Sequence, residues 1–234
     1  MSHPVVHLLT VLTLVAGCTR STAKGVDAST SSSVAPSAAG NVPAATPHDS
    51  ISERADRGRI LGDSAAPVWV IVVSDFQCPF CKQWEDASFA RVVKDYVNTG
   101  RARLAFLNMP LNIHRNAVPA AEAAMCASVQ NKFWPMHDAL FATQTSWEAS
   151  ENPAAKFDSL AVSVGVNPLQ WRQCVSQHQT LPLIEADRDR ARQAGVGSTP
   201  TFFVGNQTLA GSDKDIPAAI EAALKARQTP KPAS

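Results

Sequence analysis

Apolar residues along the chain fall into three regimes. Over residues 5–16 they run almost unbroken, as VVHLLTVLTLVA. Over the next thirty or so positions they show no period and lie scattered among Ser, Thr, Ala and Pro. From near Ile51 onward they take up strand-like and helix-like spacings in alternation. The run PVWVIVV, residues 67–73, is continuous and β-branched, which predicts a central strand buried on both faces. Pro79 suits the first turn of a helix, and Phe80, Trp84, Ala87, Val92, Tyr96 and Val97 recur at roughly helical spacing up to Gly100. RLAFLN, residues 103–108, predicts a second strand stopped by Pro110. Strand, helix and strand at these lengths form a βαβ unit, for which a right-handed crossover is expected.

The pattern changes over residues 116–194. Five segments there have helical spacing, with Pro119, Pro153 and Pro168 near their starts and Gly165 and Gly195 as C-terminal stops. TFFVG and QTLAG then predict two short strands turned by Gly205-Asn206, and residues 216–226 predict a last helix. The expected architecture is α/β, a frame interrupted by an inserted α-helical domain. Its segments are a leader (1–17), a tether (18–52), a first part of the frame (53–113), the helical insertion (114–194), a second part of the frame (195–228) and a tail (229–234).

Composition narrows the function. The 234 residues carry a formal net charge of +1, which points to no nucleic acid and no acidic surface as partner. The apolar run at residues 5–16 is short for a bilayer span and fits the core of a secretory signal. Its end, LVAGC, resembles a bacterial lipobox, which implies cleavage before Cys18 and a lipid on that residue. The residues after Cys18 cannot bury enough apolar surface to fold, so they form a flexible leash of about 30 Å root-mean-square reach. Such a protein works outside the cytoplasm, in the periplasm or cell envelope and held at a membrane surface, where disulfides persist. Of the five cysteines, Cys78, Cys81, Cys126 and Cys174 then remain, enough for two pairs.

Cys78 and Cys81 lie in SDFQCPFCKQW, residues 74–84. Zinc needs two more ligands, and neither a second close cysteine pair nor a ligand-spaced histidine cluster accompanies these. A c-type haem needs His after the second cysteine, where Lys82 stands. A structural disulfide closing so short a loop constrains the unfolded chain little. A redox pair has a mechanism. At a helix N-terminus a thiolate meets partial positive charge and free N–H groups, so Cys78 should have a lowered pKa and be the exposed, attacking sulfur. Cys81, one turn further in, should be the resolving thiol.

SDFQCPFCKQW together with GVGSTPTFFVGN, and KFWPMHDALF within the inserted block, resembles the DsbA-like thiol–disulfide oxidoreductases. The resemblance covers roughly residues 59–226 and implies a thioredoxin-like fold with the helical insertion. It implies that Pro200 is a cis-proline facing the cysteines, with Thr199 before it, where an extended substrate peptide can pair as a strand. Read from the residues alone, Phe80, Trp84 and Phe202 either line an apolar substrate groove or belong to the core. It supports a second, structural disulfide between Cys126 and Cys174; the residues alone leave open two buried free thiols. Many relatives place a buried acid where Val72 stands, so removal of the Cys81 proton falls to water or Lys82. Asp75 has the position of a turn or cap residue. His114 and His137 suit packing or capping, and Trp84 and Phe202 suit the core.

The resemblance implies a disulfide donor to reduced or misoxidised exported proteins, reoxidised by a membrane quinone-linked thiol oxidase and needing no cofactor or metal. Two alternatives are a reductase or isomerase fed by a membrane electron donor, and a tethered thioredoxin-fold binding protein without turnover.

Overall fold

The computed structural model describes residues 49–212 and 214–228. The leader, Cys18, most of the tether and the tail at 229–234 lie outside the described residues.

The first element is a helix that hydropathy spacing did not single out. α1 (Ile51–Gly58) is opened by a reciprocal capping box: Glu53 N–H donates to Ser50 Oγ, and Ser50 N–H donates to the Glu53 carboxylate. The expected tether boundary at residue 52 therefore falls inside a helix. β1 (Ile60–Leu61) follows at once and pairs antiparallel with β3 (Ala102–Asn108). β2 (Val68–Ser74) lies parallel to β3, in register Val72↔Phe106 and Ser74↔Asn108. β4 (Thr201–Val204) runs antiparallel to β2, and β5 (Gln207–Ala210) antiparallel to β4 across the Gly205-Asn206 turn. The sheet order is β1-β3-β2-β4-β5.

Alternation along the strands divides the sheet. Val68, Val70 and Val72 of β2, Leu104 and Phe106 of β3, and Phe202 and Val204 of β4 are buried in the main core. On the other face Val73 is buried with Met109, Ala191 and Val196, while Trp69 and Ile71 are only half-buried, so β2 is fully covered on one side alone.

After β2 the chain turns into α2 (Pro79–Trp84) and stays helical to Val97 through a π turn (Glu85–Phe89), a short α3 (Ala90–Val92) and a second π turn (Val93–Val97). Each π turn adds a residue and shifts the helix face. Ala87, a core position by simple helical spacing, is consequently exposed. Phe89, five residues after Trp84, meets that ring edge-on with centroids 5.8 Å apart.

The insertion comprises α4 (Ala117–Ser128), α5 (Phe133–Ala142), α6 (Ala154–Ser163), α7 (Pro168–Ser176) and α8 (Leu181–Gln193). α4 is half Ala and is buried along most of its length against α1, α5, α6, α7 and α8. Small side chains allow that many neighbours to approach. The closest approach is at Gly58, where an added Cβ would lie 2.8 Å from the Ser128 carbonyl oxygen. Gly165 and Gly195 follow α6 and α8 with φ of +77° and +79°. α9 (Ile216–Gln228) closes the main core with Ile216, Ala219, Ile220 and Ala223.

Candidate active site

Cys78 sits where β2 gives way to α2. Asp75 makes the turn: its Oδ1 accepts from Gln77 N–H at 2.8 Å, and its carbonyl accepts from Cys78 N–H at 3.0 Å. Its Oδ2 accepts from Leu111 N–H at 2.9 Å and lies 2.7 Å from His114 Nδ1. Asp75 is thus the buried turn residue that ties the cysteine loop to the segment after β3. Burial raises its pKa against those three donors.

Cys78 is the N-cap of α2 and Pro79 is the first helical residue, where a missing N–H costs nothing. Both cysteines are free thiols. Cys78 Sγ lies 3.5 Å from the carbonyl oxygen of Thr199, and the Thr199–Pro200 peptide bond is cis. The Cys78 thiol is lowered to about 6. The donor that does most is the Cys81 thiol; burial opposes it, and the Thr199 hydroxyl and the N–H groups of Cys81 and Phe80 add to it. For Cys81 burial dominates and pushes the thiol well up, helped by the sulfur of Cys78; the Ser74 hydroxyl and Asp75 N–H pull the other way. Thiolate character is thus concentrated on Cys78.

Access differs from expectation. Cys78 is 3% exposed and Cys81 1%, so the attacking sulfur is not a surface sulfur; the Thr199 carbonyl and the α2 turn cover it. Phe80, 60% exposed, is the apolar side chain that stands free beside the pair. Trp84 and Phe202 belong to the core, ring centroids 4.8 Å apart. Lys82 does not reach Cys81: its Nζ lies 2.9 Å from both Asp86 carboxylate oxygens at the surface.

Several polar residues at the site escaped sequence reasoning. Gln77 donates from Nε2 to the Glu148 carbonyl and accepts from Asn116 N–H at Oε1. Gln144, in a 3-10 turn after α5, donates to the carbonyls of Phe76 (2.7 Å) and Cys78 (3.2 Å). Glu85 points inward from the first π turn to His137, 3.3 Å away. Burial alone would lower His137, but the Glu85 and Asp138 carboxylates hold it up at about 9. Gln77 stands inside the cysteine motif and was within reach; Gln144 and Glu85 carry no local signal, because long-range packing alone brings them inward.

Cys126 on α4 and Cys174 on α7 form a disulfide, remote in the chain from the Cys78 loop and internal to the insertion. Among the described residues no group of three or more His, Cys, Asp or Glu side chains is placed to hold a metal ion.

A sheet of this order, opened by a CxxC at the start of a helix and faced by a cis-proline, with helices inserted between the halves, defines a thiol–disulfide oxidoreductase scaffold. The chain belongs to the thioredoxin family, whose model matches residues 54–225, and within it is DsbA-like. Disulfide bond formation protein D of Bacillus subtilis is 25% identical over 172 residues, 72% of this chain and 78% of that protein. The crystal structure of oxidised BdbD from Bacillus subtilis superposes with a TM-score of 0.65 at 27% identity, over 72% of this chain and 94% of that one. α-DsbA1 of Wolbachia pipientis shares the fold, with a TM-score of 0.64 at 21% identity over 72% of this chain and 91% of that one. A segment of the Na(+)/H(+) antiporter NhaA 1 of Salinispora arenicola is 34% identical over 158 residues, 67% of this chain. The chain spans less than a quarter of the length of that antiporter and of NhaA 3 of Salinispora tropica.

Proposed function

We propose that the protein is an exported disulfide donor. In its oxidised form a substrate thiolate attacks Cys78 Sγ, the Cys78–Cys81 bond breaks, and its electron pair goes to Cys81 Sγ. A second substrate thiolate then attacks the substrate sulfur of the mixed disulfide and releases Cys78 as a thiolate. The substrate loses two electrons and gains a disulfide; the protein gains two electrons and ends as a dithiol.

The observation that carries this reading is the place of Cys78, N-cap of α2 and 3.5 Å from the Thr199 carbonyl at the cis-proline, where converging donors lower its thiol to about 6. A pair whose reduced form is favoured by a stabilised thiolate is a strong electron acceptor when oxidised. Phe80, exposed beside Cys78, and the Thr199-Pro200 backbone supply an apolar contact and a strand-like edge for an extended peptide. The substrates are reduced or misoxidised proteins of the periplasm or cell envelope. Lipid on Cys18 would hold the enzyme at a membrane, near a quinone-linked thiol oxidase that restores the disulfide. Export is supported by the Cys126–Cys174 disulfide, since such bonds persist in oxidising compartments.

The test is the equilibrium potential of the pair in glutathione buffers, with Cys78→Ser and Cys81→Ser alongside. A potential well above the roughly −270 mV of thioredoxin supports donation. A value near thioredoxin's assigns the protein to reduction instead. Exchange that persists in Cys78→Ser removes the site.

A further inference from the structure

Opening the disulfide places a negative charge on a sulfur that is 1% exposed. Some group must meet it, because an unpaired ion in an apolar interior is strongly disfavoured. The nearby titratable side chains are occupied. Lys82 is paired with Asp86 at the surface. The Asp75 carboxylate is taken by Leu111 N–H, Gln77 N–H and His114. Glu85, one helical turn past Cys81, faces His137. The Val72 side chain has no polar atom.

Two donors at the end of β2 are placed to meet that charge. Asp75 N–H points at Cys81 Sγ across 3.5 Å. Ser74, 2% exposed, carries a hydroxyl with no hydrogen bond formed among the described residues, yet close enough to Cys81 to draw its thiol pKa down. Its backbone is fixed in the sheet opposite Asn108, and its carbonyl accepts from Met109 N–H at 2.8 Å. The Asn108 amide nitrogen is committed to Asp187. A buried hydroxyl without a partner is destabilising, because it has given up its hydrogen bonds to water. Ser74 therefore holds a donor in reserve, across the ladder from Asn108, whose Oδ1 is likewise unpaired among the described residues.

We propose that Ser74 Oγ–H and Asp75 N–H form a two-donor seat for the Cys81 thiolate. The proposal rests on the oxidoreductase reading above and assigns to this reaction a residue outside the CxxC and the proline loop. When a substrate thiolate attacks Cys78, the bonding pair leaves on Cys81 Sγ, and the seat receives that charge before a proton arrives from solvent. When Cys81 later attacks Cys78 Sγ to expel a bound thiol, the same two donors favour its ionised form. The seat stabilises the Cys81 thiolate while the proton itself passes to solvent; Lys82, expected from the sequence to take that proton as an alternative to water, is held by Asp86.

The test uses the full chain with Ser74→Ala, Ser74→Thr and Ser74→Val; the last two are nearly isosteric and differ in the hydroxyl. Two quantities are read: the rate at which the oxidised protein is opened by dithiothreitol, and the titration of Cys81 by ultraviolet thiolate absorbance in a Cys78→Ser background. The expected result is about tenfold slower opening for Ser74→Ala and Ser74→Val than for wild type and Ser74→Thr, with the Cys81 midpoint raised by about one pH unit. Equal rates and equal midpoints for Ser74→Thr and Ser74→Val overturn the seat, even if Ser74→Ala misfolds. A wild-type protein with no thiol exchange at all overturns the oxidoreductase reading instead, so the two failures are distinct.

Discussion

His137 Nε2 lies 3.3 Å from Glu85 Oε1, and both side chains are enclosed by protein. The imidazole is ringed by Phe76, Phe89, Phe106, Phe133, Trp134 and Phe141, with centroids 5.0 to 6.0 Å away. The pair joins the π turn after the cysteine helix to α5 of the insertion.

The first prediction concerns pH. His137 is held at about 9, above its ordinary value. The stabilisation this gives is whole below the unfolded value of about 6.5 and is lost as pH rises through about 9. Urea denaturation of the wild type should therefore show a decline over that window that His137→Gln lacks. Glu85→Gln should lower the His137 midpoint in NMR titration and cost about 3 kcal/mol.

Cys78 has the opposite sign. Its folded pKa is depressed to about 6. The reduced protein should gain stability relative to the oxidised one as pH climbs from about 6 to the unfolded value near 8.5, and lose it again on acidification. Iodoacetamide alkylation of the reduced protein should titrate with a midpoint near 6, and Cys78→Ser should abolish both effects.

A third prediction lies at the join of α1, β3 and α8. Asp187 is fully buried and accepts from both Arg59 Nη atoms and from the Asn108 backbone and side-chain nitrogens. Asp187→Ala leaves Arg59 buried without its main partner and should cost about 3–5 kcal/mol in urea denaturation.

A fourth concerns the second cysteine pair, which closes a loop of sequence separation 48. The Cys126→Ala/Cys174→Ala double variant should lose about 4 kcal/mol if the chain-entropy account holds, measured under non-reducing conditions.

Much of this was legible in the sequence because it is local. The β-branched run of β2, Pro79 after Cys78, and the glycines at 165 and 195 each act through their own backbone, and each specifies an element or its end. The cysteine motif sits at the strand-to-helix junction for the same reason. What escaped reading is long-range or phase-shifting. The π turns moved Ala87 outward and Phe89 inward, and nothing in the spacing announces a π turn. α1 was readable from Ser50 and Glu53, but its polar composition hid it from a search for apolar periods. Lys82 looked available to Cys81 in sequence, yet Asp86, one turn later on the same helix, captures it. Gln144 and Asn116 became part of the site through tertiary contact alone.

The grip of Gln77, Asn116 and Gln144 has an evolutionary and engineering corollary. The residue next to the reactive sulfur is fastened to the insertion through the Glu148 carbonyl and Asn116 N–H, and the sulfur's own backbone carbonyl through Gln144. The helical module is accordingly not interchangeable cargo. A chimera that transplants it between relatives must carry these three amides as a matched set, or the recipient's nucleophile will be left without its mooring.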